Sequence, residues 1–490
     1  MTGTVETPQA GPGTAQAGPG TAQAGSGAAT GTVQDGPETT ALPAYADIPK
    51  IKVTLARDGV APGYLFLTPQ SIFEPEVPHG PQIVDDRGRL VWFRPVPEGQ
   101  YATNIRVQEY QGQPVLTWWQ GTATSTGVGI GKAYIADRNY NVIATIEAGG
   151  GEPVDLHDLV LTDRGTAVLV SYQLKQHDLS PIGGAADAVA IDSVVEEIDI
   201  ATGEVLLHWS GLERVPLEES DMPAIIAGDD PYDHLHVNAL GIDTDGHLII
   251  TARSNSALYK VDRDSGEILW KLGSGYSTFV LDVGVRCNWQ HDGQPVGDGV
   301  YRIFDNGAND YFIGYESRIT WIHADEKTGV ATHVKTITHP EHLSSIAEGN
   351  AQELPNGNVV VGWGRAGRIS EFASDGELLF DAKTPAGKGW TTYRAYRFEW
   401  DGRPGTPPEA VVEGGQVHAV WNGATGVAQW RLLAGSDQSD LRPVETVDWN
   451  GLDTSIARPD GAAVVQVEAL DAGGHVLGTS PVTPVTPTER

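Results

Sequence analysis

The chain has 490 residues but a single cysteine, Cys287, so no disulfide can form within it. Basic residues are also scarce. Lys and Arg number 32 against 64 Asp and Glu, a formal net charge of −32. A surface this acidic repels phosphate backbones and anionic lipid, so neither nucleic acid nor a membrane is expected as a partner. No apolar run reaches the roughly 18 residues that a membrane span requires. The opening MTGTVETPQAGPGT has no basic n-region and no apolar h-region. No ordinary signal peptide is visible, and a cytoplasmic location is the expectation.

Glycine (60) and proline (31) are abundant, and Trp (13) outnumbers Phe (9). That mix favours many short strands joined by tight turns over long helices. Residues 1–45 are low in complexity. AGPGTAQ occurs at 10–16 and again at 17–23; such a stretch buries no core and reads as a disordered tail.

Beyond residue 45 a unit repeats. A turn followed by an apolar strand occurs as RGRLVWF (87–93), NYNVIATI (139–146), TGEVLLHW (202–209), SGEILWKL (265–272), TGVATHVK (328–335) and DGELLFDA (375–382). These are the expected outer strands of four-stranded blades. Inner strands recur as ATNIRVQEY, LHDLVLT, HVNALGI, QHDGQPV and GNAQELP. The first unit lacks its inner strand, and TTYRAYRFEW (391–400) is expected to supply it and close the ring. The fold expected is therefore all-β. A six-bladed propeller spans 46–400, with seven blades as the alternative. A Pro/Gly linker spans 401–415, and a small β-sandwich of immunoglobulin or fibronectin kind spans 416–484.

Histidine returns at one register of the repeat: His157 in LHD, His236 in HVN and His291 in QHD. In a propeller, equivalent positions converge on the axis, so three residues spread over more than 130 positions would share one mouth. Arg253 ends the strand paired with the one that His236 begins, which puts the two at the same sheet end. Imidazole serves as nucleophile or as general acid and base. A guanidinium fork matches tetrahedral oxyanions such as sulfate. Three axial histidines can also hold iron or zinc, but an arginine among them disfavours a cation, and no metal or cofactor is expected. A metal-dependent lyase or oxygenase and a non-catalytic ligand-binding propeller are the competing readings. Asn350 and Gln352 occupy the fourth axial position; either they bind substrate or they cap strands. Asn238, beside His236, and Tyr393, with Trp118, Trp119, Trp289 and Trp363, are candidates for substrate contact, although most of the tryptophans fit a core better. GVGIGKAY (127–134) lacks the spacing of a phosphate-binding loop.

The succession HDLVLTDRGTAVLVSY, HVNALGI…LIITAR, NWQHDG…FDNG and GNAQELPNGNVVVGWG resembles the arylsulfotransferase family over roughly residues 50–400. These enzymes do not use the nucleotide sulfate donor. The resemblance implies a six-bladed propeller and transfer of a sulfuryl group from an aryl sulfate to a phenolic or other hydroxyl acceptor. It implies a sulfated nucleophile at His291, sulfuryl-binding partners at His236 and Arg253, and a further active-site histidine at His157. The implied reaction is ping-pong, through a sulfohistidine. The sequence departs from the better-known exported members in having no disulfide near the site, no recognisable signal peptide, and an extra sandwich that follows the propeller instead of preceding it.

Overall fold

Leu248–Ala252 reads LIITA and is buried along its whole length. A short, continuously apolar run bounded by a turn is a strand covered on both faces. Here the turn is DTDG, whose Gly246 has φ +88°, a conformation only glycine adopts without strain. The same logic repeats through the chain. The computed structural model describes residues 44–124, 127–223, 231–273, 275–308 and 315–485, and these are nearly all β. Of the stretch 1–45, all but Ala44 and Tyr45 lies outside the described residues.

Before residue 400, the described residues form six antiparallel sheets, each built on four consecutive strands or, in one sheet, on four strands that include a returning one. The inner strands are Tyr101–Tyr110, Leu159–Leu161, Val237–Ile242, His291–Gly297, Asn350–Glu353 and Thr391–Phe398. The fourth strands are Val142–Ile146, Val205–Ser210, Ile268–Gly273, Val330–Thr338, Leu378–Lys383 and Leu90–Phe93. Each of these six falls on one of the turn-strand units read from the sequence. Thr391–Phe398 pairs with Tyr64–Gln70, about 320 residues earlier, through Leu67↔Ala395 and Gln70↔Thr391, so the late strand does complete the early sheet.

The six sheets form a closed cycle, because every neighbouring pair shares an apolar core. Val168 and Val195 meet Leu240 and Ile250. Ile249 and Leu258 meet Tyr301 and Ile322. Phe304 and Trp321 meet Val361 and Trp363. Ile369 and Phe380 meet Leu65 and Leu67. Phe66 and Ile83 meet Leu116 and Trp118. Val115 and Trp119 meet Ala167 and Leu169. At about 1.5–3 kcal/mol per buried aliphatic or aromatic side chain, this inter-sheet packing is the main force holding the cycle together.

Polar groups tie the inner strands at the centre. The buried Arg394 guanidinium lies 3.1 Å from Asp158 and 3.7 Å from Asp292. Asp158 also takes Arg106 at 3.0 Å and the Leu240 N–H at 2.9 Å, and Asp292 takes the Ala351 N–H at 2.9 Å. One ionic cluster thus engages all six inner strands.

Two further sheets follow. Glu409–Glu413, Gln416–Val420 and Asp453–Ala457 form one, and a five-stranded sheet centred on Gln429–Gly435 and Val464–Leu470 forms the other. Val417, Ile456, Trp430 and Val467 lie in one cluster between them. The stretch 401–415, read as a linker, carries the first of these strands, because Ala410, Val411 and Val412 pair with Val417–Ala419 across the turn. Lys52–Ala56 is a fifth edge strand on Leu378–Lys383. Its alternating pattern is short, and its partner lies more than 300 residues away, so nothing local marks it.

Candidate active site

All six inner strands run the same way, and their first residues gather at one end. Three of them begin with an irregular register, at Thr103/Arg106, Val237/Ala239 and His291/Gln294. Such bulges re-aim side chains. Non-glycine residues with positive φ collect at the same end: Asn104 (+56°), His236 (+50°), Trp289 (+51°), Asp292 (+50°) and Glu348 (+64°), half of the ten among the described residues. Each left-handed residue costs about 1–3 kcal/mol and persists only where the surroundings impose it.

His157, His236 and His291 meet there. The rings of His157 and His236 are 4.7 Å apart, edge to face. Tyr393 lies 5.7 Å from the His157 ring and 6.4 Å from the His291 ring, and Tyr172 flanks His157 and His236 at 5.6 and 5.9 Å. The histidines are 4 %, 7 % and 2 % exposed, so their reactive atoms work in a nearly dry environment. Arg253 follows Leu248–Ala252, and its N–H donates to the His236 carbonyl at 3.0 Å, as the hairpin geometry required. Its half-buried guanidinium lies over the Trp289 ring at 3.7 Å. This is a cation–π contact that holds the fork flat.

Each imidazole is oriented through Nδ1. In His157 it meets Asp155 Oδ1, which also accepts the His157 N–H at 2.9 Å. In His236 it meets Asp233 Oδ2 at 2.5 Å. In His291 it meets Asn306 Oδ1 at 2.7 Å. The Nε2 of His291 accepts the N–H of Glu348 at 3.2 Å. Gly349, at φ +109°, lets this loop pass against Phe304, whose ring would lie 2.6 Å from any Cβ.

Burial, aided by the nearby Arg253 charge, pushes the His291 imidazole well below its ordinary range. Burial also lowers His236, with the Asp233 carboxylate working against it. Burial raises the Glu348 carboxyl, although Arg365 and Thr391 act in the opposite direction. A neutral, desolvated imidazole beside a guanidinium is equipped to attack an electrophile that carries anionic oxygens.

The other candidates fare differently. Tyr393 lines the site, and its hydroxyl donates to the Asn238 carbonyl at 3.4 Å. The three candidate amides bond backbone groups of neighbouring segments. Asn238 donates to the Gln290 carbonyl at 2.9 Å. Asn350 exchanges two 2.9 Å bonds with the Ala395 backbone, and Gln352 bonds both N–H and C=O of Arg397 at 2.7 and 2.9 Å. These three side chains act as inter-strand clasps, because adjacent inner strands stand too far apart for a backbone ladder. Trp118, Trp119 and Trp363 are core residues. The Cys287 thiol is buried in an apolar cluster with Val285 and Tyr301, and burial raises its pKa, which makes it a poor nucleophile.

Sequence reasoning missed Asp155, Asp233, Asn306, Tyr172 and Glu348. Asp155 and Asp233 precede their histidines by two and three residues, a local signal that was available. Asn306 stood within the FDNG motif without an assigned role, and Glu348 comes from the loop before Asn350–Glu353. Two cavities elsewhere among the described residues do not hold these groups. One, of about 630 Å³, is lined by Tyr64, Arg89, Trp400 and Trp449. The other, of about 1070 Å³, opens at the far end of the inner strands beneath Arg106, Asp292 and Arg302.

A family model described as arylsulfotransferase (ASST) matches residues 106–384. No curated protein matches the chain. Among solved structures, a protein of unknown function from Bacteroides caccae is 12 % identical, covering 68 % of this chain and 98 % of its own, at a TM-score of 0.39. A Lactobacillus plantarum protein is 13 % identical, covering 80 % and 99 %, at 0.37. A catalytically inactive virginiamycin B lyase from Staphylococcus aureus, solved with quinupristin, is 9 % identical, covering 76 % and 96 %, at 0.34.

Proposed function

The chain belongs to the arylsulfotransferase family, and from that premise we propose that it moves a sulfuryl group from an aryl sulfate to a phenolic or other hydroxyl acceptor without a nucleotide donor. The reaction is ping-pong, with His291 as the nucleophile. The catalytic body is a six-bladed propeller over residues 46–400, and a C-terminal sandwich follows it. The observation that carries the reading is the meeting of His157, His236, His291 and Arg253 at one mouth, with the Nε2 of His291 bearing a lone pair.

In the first half-reaction Nε2 of His291 gives up the Glu348 N–H and bonds to sulfur as the bond from sulfur to the aryl oxygen breaks, and the phenolate takes a proton from His157. In the second, the acceptor hydroxyl returns a proton to His157 while its oxygen bonds to sulfur and the N–S bond breaks. Arg253 and His236 neutralise the sulfuryl oxygens through each transition state. Tyr172, Tyr393 and Trp289 provide aromatic walls for the phenyl rings.

Intact-protein mass spectrometry after brief mixing with 4-nitrophenyl sulfate tests this. The expected result is a gain of about 80 daltons, one sulfuryl group trapped on a nucleophile, absent from His291→Ala and discharged by added phenol. No adduct and no nitrophenol from folded protein, over a range of aryl sulfates, would overturn the assignment.

A further inference from the structure

The three imidazoles share a mouth and an orientation but differ in what holds Nδ1. Asn306 offers an amide, and its direction is not ambiguous. Its Nδ2 donates to the carbonyls of Ser345 and Glu348 at 2.8 and 2.9 Å, so Oδ1 is the atom turned to His291. An amide oxygen only accepts. Nδ1 of His291 therefore carries the hydrogen, and Nε2 keeps the lone pair that now receives the Glu348 N–H. His157 and His236 instead meet carboxylates. Asp155 is anchored by the N–H groups of His157 and, at 2.6 Å, Gly129. The Asp233 carboxyl is held below its ordinary range: burial works to raise it, but His236 and Arg253 overcome that effect.

We propose that the Nδ1 partner sorts the roles: Asn306 reserves His291 as the uncharged nucleophile, while Asp155 and Asp233 make His157 and His236 the two rings that take up protons as the sulfate ester binds. The proposal rests on the sulfuryl-transfer reading and assigns Asn306, Asp155 and Asp233 as positioning residues. The reason is electrostatic. With all three rings neutral, the two carboxylates outnumber Arg253, and an anionic ester would meet a negative pocket. Protons on His157 and His236 reverse the sign. A third proton, on His291, would abolish the nucleophile, and a neutral partner at its Nδ1 avoids that. Burial and Arg253 push His291 further down than His236, in the same sense.

The charged and titratable groups around His291 are few. Arg253, His236 and His157 face it from two other sheets, with Asp233 and Asp155 behind the two histidines. Tyr393 comes from Thr391–Phe398, and Glu348 with Arg365 closes the side nearest Nε2. Asp292 turns away to Arg394 and Arg302, and Asp305 to Arg318.

The test is the pH profile of single-turnover sulfation by 4-nitrophenyl sulfate, read by nitrophenol release and adduct mass, with thermal melting as the check on folding. In Asn306→Asp a carboxylate favours the protonated ring. The acid limb should move up by about 1–3 pH units, with activity recovered on the alkaline side. In Asp233→Asn the adduct should still form on His291, but KM should rise roughly tenfold, as one charge-assisted bond is lost. Proton uptake on binding inorganic sulfate, followed with an indicator dye, should fall by about one relative to wild type. An unshifted limb in Asn306→Asp, a rate low at every pH, or undiminished uptake in Asp233→Asn would each overturn the proposal. Absence of any adduct in the wild type would instead remove the reading beneath it.

Discussion

His291 is a buried base whose chemistry depends on staying uncharged. Its pKa is lowered by burial and by Arg253, so the neutral form persists below the ordinary imidazole range. Lowering the pH from 7.5 to 6.5 should therefore leave the intrinsic rate of adduct formation undiminished, which stopped-flow nitrophenol release at saturating ester would measure. A fall that follows an ordinary imidazole titration would mean that the ring is not desolvated in solution. Arg253 makes a second residue-scale prediction. Its guanidinium lies 3.7 Å from the Trp289 ring centroid, and a lysine keeps the charge but neither the plane nor the fork. Arg253→Lys should raise KM several-fold while the protein melts as before. The three oriented imidazoles were half legible: the histidines through their shared register, Asp155 and Asp233 through adjacency. Asn306 was not, because its assignment depends on two carbonyls from a loop some 40 residues later.

At the scale of the element, the inner strands decide between the two readings left open for Asn350 and Gln352 in favour of strand capping. Polar residues at axial positions suggest a ligand when only the sequence is seen. In the structure, Asn350 and Gln352 bond the backbone of Thr391–Phe398 with geometry a ladder would supply elsewhere. Gln352→Ala should therefore destabilise the protein by about 1–3 kcal/mol, the cost of leaving partly buried backbone groups without partners, and should not change KM. Chemical denaturation and steady-state kinetics separate the two effects; a changed KM at unchanged stability would restore the substrate role. The edge strands carry a related lesson. The outer edge of Leu90–Phe93 is covered by the C-terminal sheets, through Asn422 bonded to both polar groups of Phe93 at 2.9 and 2.8 Å and through Leu452 to the Leu90 carbonyl at 2.6 Å.

At the scale of the whole molecule, two features keep the cycle closed. One is the returning strand Thr391–Phe398. The other is the ionic cluster on Arg394, which engages carboxylates from two other sheets. Arg394→Met should cost about 3–5 kcal/mol in denaturant unfolding, because buried carboxylates lose their counter-charge. The double change with Asp158→Asn should recover part of that loss. Removal of residues 403–490 would expose the Leu90–Phe93 edge. The shortened protein should sulfate His291 at an unchanged rate per folded molecule but aggregate faster on warming, as light scattering would record. A loss of adduct formation without aggregation would instead assign the C-terminal sheets a part in the site.

What the sequence alone determined is whatever repeats or lies nearby. The six turn-strand units, the late strand that closes the first sheet and the common register of His157, His236 and His291 follow from periodicity, since each repeat folds by the same local rules. Arg253 beside His236 follows from hairpin pairing. What only the tertiary structure decided is which polar group answers which. Whether an axial amide faces a ligand or a neighbouring strand, whether Cys287 is open or packed, and which of three imidazoles meets an amide rather than a carboxylate are set by inter-sheet distances of a few ångströms. Those distances are sums over side chains far apart in the chain, and no local pattern encodes them.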